Sequence, residues 1–96
     1  MFLVVSNWEA LPGRDEDFDR VGPVLAKILR RQPGVEIVEV IKNGSQHVAI
    51  HGYRDEAAYH TVVDDPQGEF SRALTEYRVD DVARWISSVR GESMPH

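Results

Sequence analysis

The sequence predicts an α+β fold of ferredoxin-like type, β-α-β-β-α-β, with a four-stranded antiparallel sheet and its helices on one face. Three observations predict it. Residues 2–10, FLVVSNWEA, are rich in β-branched and aromatic side chains and read as a strand. Asn43-Gly44 separates GVEIVEVIK from HVAIHGY, and that dipeptide between apolar runs signals a hairpin. Phe18, Val21, Leu25, Ile28 and Leu29 recur at helical spacing between these regions. Right-handed crossovers then put both helical regions on the same side of the sheet.

Each element follows from local chemistry. LPGR turns the chain after the first strand, and Asp15, Glu16, Asp17 and Asp19 supply the acidic first turn of a helix that runs to Gln32. Gly22-Pro23 either kinks this helix or marks the start of a second one at Pro23. DEAAYHTVV reads as helix from about Asp55 to Asp64, DDPQG breaks it, and EFSRALTEY forms another helical segment. The last strand covers about Ala83 to Val89. The 96 residues make one domain over 1–96, with an ordered core of about 2–91. His96, as a terminal residue, is expected to lack order.

The first two strands carry apolar residues on both faces: Phe2 and Val4 against Leu3 and Val5, then Val35, Ile37 and Ile41 against Val38 and Val40. A sheet with one wet face alternates instead. Leaving a whole face in water forfeits several kcal/mol, at about 25 cal/mol per Å² of apolar area. A second copy packed sheet to sheet is the simplest cover.

Composition narrows the function. There is no cysteine, which removes disulfide frameworks, thiolate zinc sites and thiol catalysis and suits a reducing cytoplasm. MFLVVSNWEA is too short for a signal peptide, and no stretch approaches the ~20 apolar residues of a membrane span. A cytoplasmic protein with no membrane association is expected. Acidic residues outnumber basic ones, 16 to 11, and Arg30-Arg31 is better placed to answer a helix dipole than to track phosphates, so nucleic-acid binding is not expected. GxGxxG, GxxxxGK[ST] and GxSxG motifs are absent. Residues 15–19, DEDFD, lack the glycine and terminal glutamate of a calcium loop, and Asp64-Asp65 and Asp80-Asp81 read as turn and cap residues.

The richest stretch is HVAIHGYRDEAAYH, residues 47–60, which holds three of the four histidines and two of the three tyrosines. On a strand, His47 and His51 share a face but stand about 13 Å apart, too far to chelate one ion, so no metal site is expected. Val48 and Ile50 are expected to face the helices, and His47, Ala49, His51 and Tyr53 the opposite side. Asn7 shares a side with Leu3 and Val5, which brings it near His51 and Tyr53 if that side faces the same interior. Two readings stand: a polar island in an apolar chamber, or rings and amides satisfying one another at an interface, with His47 at the mouth. His60 is expected at the surface beside Tyr59, Trp8 under the helices, and Trp85 in core or interface.

A helix closed by Pro33-Gly34-Val35, a strand running into Tyr53-Arg54-Asp55-Glu56-Ala57, and an aromatic at Tyr59 together resemble a known family. The pattern is similar to the dimeric α+β barrel superfamily, specifically antibiotic biosynthesis monooxygenase-like domains. Stress-responsive A/B barrel domains are also similar, through the later DDP…EF stretch. The resemblance spans nearly the whole chain. It implies a homodimer whose sheets form a barrel, with a ligand cavity between the sheet and helices of each subunit. It further implies a cofactor-independent monooxygenase acting on a small aromatic or polyketide-like compound, which once deprotonated supplies the electrons to dioxygen. On that model His51 accepts a proton, Asn7 hydrogen-bonds a substrate oxygen, and Tyr53, His47 and Tyr59 contact substrate. The haem-degrading branch has an Asn matching Asn7, a Trp where Tyr53 stands, and an iron-ligating helical His; residues 70–77 contain none, so haem is not expected. A small-molecule-binding or stress-responsive barrel without catalysis, and an isomerase or cyclase on the same scaffold, are the alternatives.

Overall fold

The computed structural model describes residues 1–95, and the expectation for His96 lies outside them. Strand β1 (Phe2–Ala10), helix α1 (Asp15–Arg30), strands β2 (Val35–Asn43) and β3 (Gln46–Tyr53), helices α2 (Glu56–Val63) and α3 (Glu69–Glu76), and strand β4 (Ala83–Glu92) follow in that order. A single 3-10 turn, Val79–Asp81, precedes β4. The sheet order is β2-β3-β1-β4 with every neighbouring pair antiparallel. This is the ferredoxin-like α+β fold that the hairpin and helix signals predict.

α1 is one continuous helix, so Gly22-Pro23 neither splits nor ends it. Proline removes one helical hydrogen bond, while acids in the first turn and Lys27 and Arg30 in the last complement the dipole. Arg30 also ties the helix to the sheet edge by donating from Nη2 to the Val38 carbonyl at 2.8 Å. α2 starts at a defined cap, where Asp55 accepts from the Ala58 amide at 2.8 Å. β4 runs three residues beyond the expected Val89.

The core lies between the helices and one sheet face. Ala26 and Leu29 of α1 and Ala58, Tyr59 and Val62 of α2 meet Phe2, Val4, Val38 and Tyr53 of the sheet. Pairing across the strands sorts the inward side chains into rows. Tyr53 lies opposite Phe2; the next row runs Arg90, Val4, His51, Val38; the next runs Ser88, Ser6, Ala49, Val40; the last runs Trp85, Trp8, His47, Lys42.

This register reverses one expectation. His47, Ala49, His51 and Tyr53 face the helices, and Val48 and Ile50 face away from them. Both faces of β3 carry enough apolar surface to be buried, so alternation alone does not orient it. Tyr53 decides the orientation, being the largest side chain sealed entirely from solvent. The other sheet face carries Leu3, Val5, Val48 and Ile50, partly buried, and Ile37, Ile41 and Val89, exposed. Val89 is 74% exposed.

Two extra residues shape the sheet. Glu36 is skipped in the β2–β3 ladder and Ile86 in the β1–β4 ladder, each a bulge that restarts the alternation. The bulge at Ile86 is why Trp85 and Arg90, of opposite parity in sequence, share the inward face. That places Trp85, for which core and interface both stood open, on the helix side of the sheet.

Gly34, in the PGV turn, has φ +83°, and its carbonyl accepts from the Arg54 amide at 2.7 Å. A Cβ there would lie 2.7 Å from Ala58 Cβ. Gly34→Ala is therefore expected to destabilise the fold by about 2 kcal/mol, from positive-φ strain and overpacking together. Urea unfolding monitored by circular dichroism measures it, and an unchanged midpoint would contradict the account.

Candidate active site

A cavity of about 360 Å³ lies between the inward sheet face and the helices. Small side chains create it. Ser88, Ser6 and Ala49 form a low row across the floor, and Gly22 and Ala26 of α1 stand above it. Taller residues bound the trough on both sides: Trp85, Trp8 and His47 on one, Val4, His51 and Val38 on the other. Leu25 and Leu29 of α1, Tyr59 and Val63 of α2, and Phe70 and Leu74 of α3 complete an apolar roof. Exposed lining residues stand at both sheet edges, Trp85 and Arg90 on β4 and Val40 on β2.

The polar centre of the floor is a three-residue chain. The Tyr53 hydroxyl lies 2.6 Å from His51 Nδ1, and His51 Nε2 lies 3.4 Å from Ser6 Oγ. Burial raises the Tyr53 phenol well above its usual range, with the neighbouring Tyr59 adding to the effect. Burial pushes His51 down from 6.5 to about 4. Both groups are therefore neutral near pH 7. The Tyr53 hydroxyl has no other hydrogen-bond partner among the described residues, so it donates to Nδ1 and leaves the ring proton on Nε2. His51 thus presents an N–H to the cavity, beside the Ser6 hydroxyl. The arrangement is a pair of neutral donors in an apolar chamber, suited to an oxygen that gains negative charge.

His47 sits at the Trp8 end. It is buried, stacked on Phe18 with ring centroids 4.1 Å apart, and its pKa is lowered chiefly by desolvation. Its Nε2 is 3.4 Å from Asp19 Oδ1, off the line of a hydrogen bond, while Asp19 Oδ2 accepts from Lys42 Nζ at 2.6 Å. His47 lines the cavity wall and not its mouth. Tyr59 is buried, lines the cavity and packs edge-on against Tyr53 at 5.2 Å. Tyr53 itself lies behind the wall, reaching the cavity through His51.

Asn7 is elsewhere. It projects from the opposite sheet face, where its amide donates to Ser87 Oγ at 3.3 Å. The expected approach of Asn7 to His51 and Tyr53 does not occur, because the residues opposite those two on β1 are Val4 and Phe2. Ser6 occupies the position foreseen for Asn7. Its signal is visible in the sequence as the one small polar residue among the inward positions Phe2, Val4 and Trp8. Arg90 and Ser88 went unforeseen because the bulge conceals their face. His60 is at the surface between Asp64 and Glu56, which raise its pKa in that order. Among the described residues, no group of three His, Asp or Glu side chains is placed to hold a metal ion. No helix among them is long and apolar enough to cross a membrane.

The His51 environment has a measurable consequence. Its folded pKa lies below the unfolded value, so the unfolded chain binds the proton first as pH falls. The His51 contribution to stability is complete above pH 6.5 and is lost between 6.5 and about 4. That loss amounts to as much as about 3 kcal/mol. Proton NMR is expected to show the His51 ring titrating near pH 4, and His51→Leu to remove this part of the acid destabilisation. Titration near 6.5 would contradict the site's geometry.

No family model and no curated protein sequence matches the chain. Solved structures do. A candidate antibiotic biosynthesis monooxygenase of Deinococcus radiodurans superposes with a TM-score of 0.80 at 13% identity, covering 100% of this chain and 95% of that one. SnoaB, a cofactor-independent oxygenase from Streptomyces nogalater, gives 0.79 at 17% identity over 99% of this chain and 94% of its own. A Pseudomonas aeruginosa protein gives 0.80 at 14% identity over 98% and 94%. At such identities the likeness is one of fold. The chain has the α+β fold of the antibiotic biosynthesis monooxygenase domains, with its cavity between the sheet and the helices.

Proposed function

We propose that this protein is a homodimeric, cofactor-independent monooxygenase that oxidises a small aromatic or polyketide-like compound inside the cavity. The observation that carries the reading is the Tyr53–His51–Ser6 chain, whose geometry makes His51 Nε2 and Ser6 Oγ neutral donors in an otherwise apolar chamber. The fold it shares with SnoaB, a cofactor-independent oxygenase, supports the same reading.

The electrons in this scheme come from the substrate and go to dioxygen. An anthrone-like methylene loses a proton to water entering at the open sheet edge and gives an enolate, whose oxygen accepts from His51 and Ser6. The carbanion carbon passes electrons to dioxygen and forms a C–O bond; the peroxide anion takes a proton back from water, and the hydroperoxide loses water and leaves a carbonyl. One oxygen atom ends in the product and the other in water. With its proton held on Nε2, His51 stabilises the enolate in this scheme and does not abstract the proton. Ser6 takes the hydrogen-bonding part first assigned to Asn7. Tyr53 fixes the His51 tautomer, and Tyr59 and His47 shape the walls.

The dimer forms through the open sheet face of Leu3, Val5, Ile37, Ile41, Val48, Ile50 and Val89. Charging that face is expected to separate the copies. Sedimentation equilibrium at micromolar concentration should give a dimer for the native chain and a folded monomer for Ile41→Asp combined with Val89→Asp. A monomeric native chain would rule the interface out.

Oxygen-electrode assays with anthrone and quinol substrates test the activity. Uptake of one dioxygen per product is expected, unaffected by chelators. Removing the donor in His51→Ala should lower kcat by about 10²-fold, the usual effect of losing one oxyanion contact. Product formed under nitrogen would identify an isomerase or cyclase instead, and bound substrate without turnover a binding protein.

A further inference from the structure

We infer that the cavity selects anionic ligands, in particular a flat aromatic carboxylate whose rings lie over the Ser6–Ala49 floor and whose charge pairs with Arg90. The inference deepens the preceding reading by naming a substrate class. It rests on the cavity holding a ligand, and not on the oxygen chemistry.

The charge distribution is the first support. The chain carries 16 acidic residues and a net charge of −5, yet among the described residues no Asp or Glu lines the cavity. Among the described residues, Arg90 is the only Lys or Arg that does. A protein with this overall charge repels anions from its surface at long range, so a local cation facing an acid-free chamber matters the more.

Arg90 is also uncommitted. Among the described residues it makes no ion pair and no side-chain hydrogen bond. Its guanidinium carbon lies 5.7 Å from the Tyr59 ring centroid. A ring face contacts the plane of the cation and leaves its N–H edge available to an acceptor with two oxygens. The other inward cation, Lys42, is held by Asp19.

Register sets the span. Arg90 and His51 both lie opposite Val4, on either side of it in the same row. Two strand spacings separate their backbones, roughly 10 Å. A bicyclic or tricyclic acid bridges that gap with its carboxylate at Arg90 and a ring oxygen near His51 and Ser6. Trp85, inward but 55% exposed, offers an aromatic surface at the same edge.

The test compares 2-naphthoate with its neutral isostere 2-naphthamide, following quenching of Trp8 and Trp85 fluorescence. The native protein is expected to bind the acid about ten-fold more tightly than the amide, as one charge-assisted contact provides. Arg90→Gln should abolish the difference and leave amide affinity unchanged. Arg84→Gln is the control for net charge, since Arg84 pairs with Glu9 on the far sheet face. It should alter neither affinity. Equal affinities in the native protein, or an equal loss for both probes in Arg90→Gln, would overturn the inference while leaving the oxygenase reading intact. Failure of both probes to bind would overturn the ligand cavity itself. Acid preference without oxygen uptake on any substrate would remove the oxygenase reading and keep this one.

Discussion

The burial of one phenol organises the molecule. Tyr53 is sealed from water, and a buried hydroxyl must find a hydrogen-bond partner or cost the fold its desolvation. On a strand the nearest side chain of the same face is two residues away, and here it is a histidine. The Tyr53–His51 bond therefore satisfies the phenol on the inward face of β3 and sets which nitrogen of His51 carries the proton. Once His51 is inward, Ala49 and His47 are too. Ala49 falls in the same cross-strand row as Ser6 and Ser88, and three small side chains in a line leave the space that larger ones would fill. The cavity is thus a consequence of the same register that satisfies the phenol.

Fold class was legible because its signals are local. A hairpin dipeptide, a helix with apolar residues at 18, 21, 25, 28 and 29, and a PGV turn each act within a few residues. The faces were less legible. Strands with apolar residues on both sides give no sign of which side meets the helices, and Val48 and Ile50 looked at least as fit for the core as His51. Tyr53 carries the answer, but only together with its partner. The same ambiguity gathered Asn7, His51 and Tyr53 into one imagined site. Asn7 and His51 in fact project from opposite sides of the sheet.

The two sheet faces divide the work. Toward the helices, the tall rows at Trp8 and Val4 pack firmly while the row between them stays low, so a chain of 96 residues keeps both a core and a hollow. Away from the helices, the aliphatic side chains of Leu3, Val5, Val48, Ile50, Ile37 and Ile41 gather around Gly52, whose open space is occupied by Met1, Ile37 and Leu3, with Glu39 and Asn7 interrupting them. The candidate site and the proposed dimer face thus lie on opposite sides of a single layer of strands.

The extra residue at Ile86 bears on how proteins of this shape are compared. A relative without it carries the same inward positions one step earlier along its last strand. An ungapped alignment there matches hollow-facing residues of one protein with solvent-facing residues of the other, so Arg90 is set against a neighbour of its true counterpart. Homology at this strand has to be counted by pairing partner on β1, with Val4 and Ser6 as the reference points, because position along the chain is off by one.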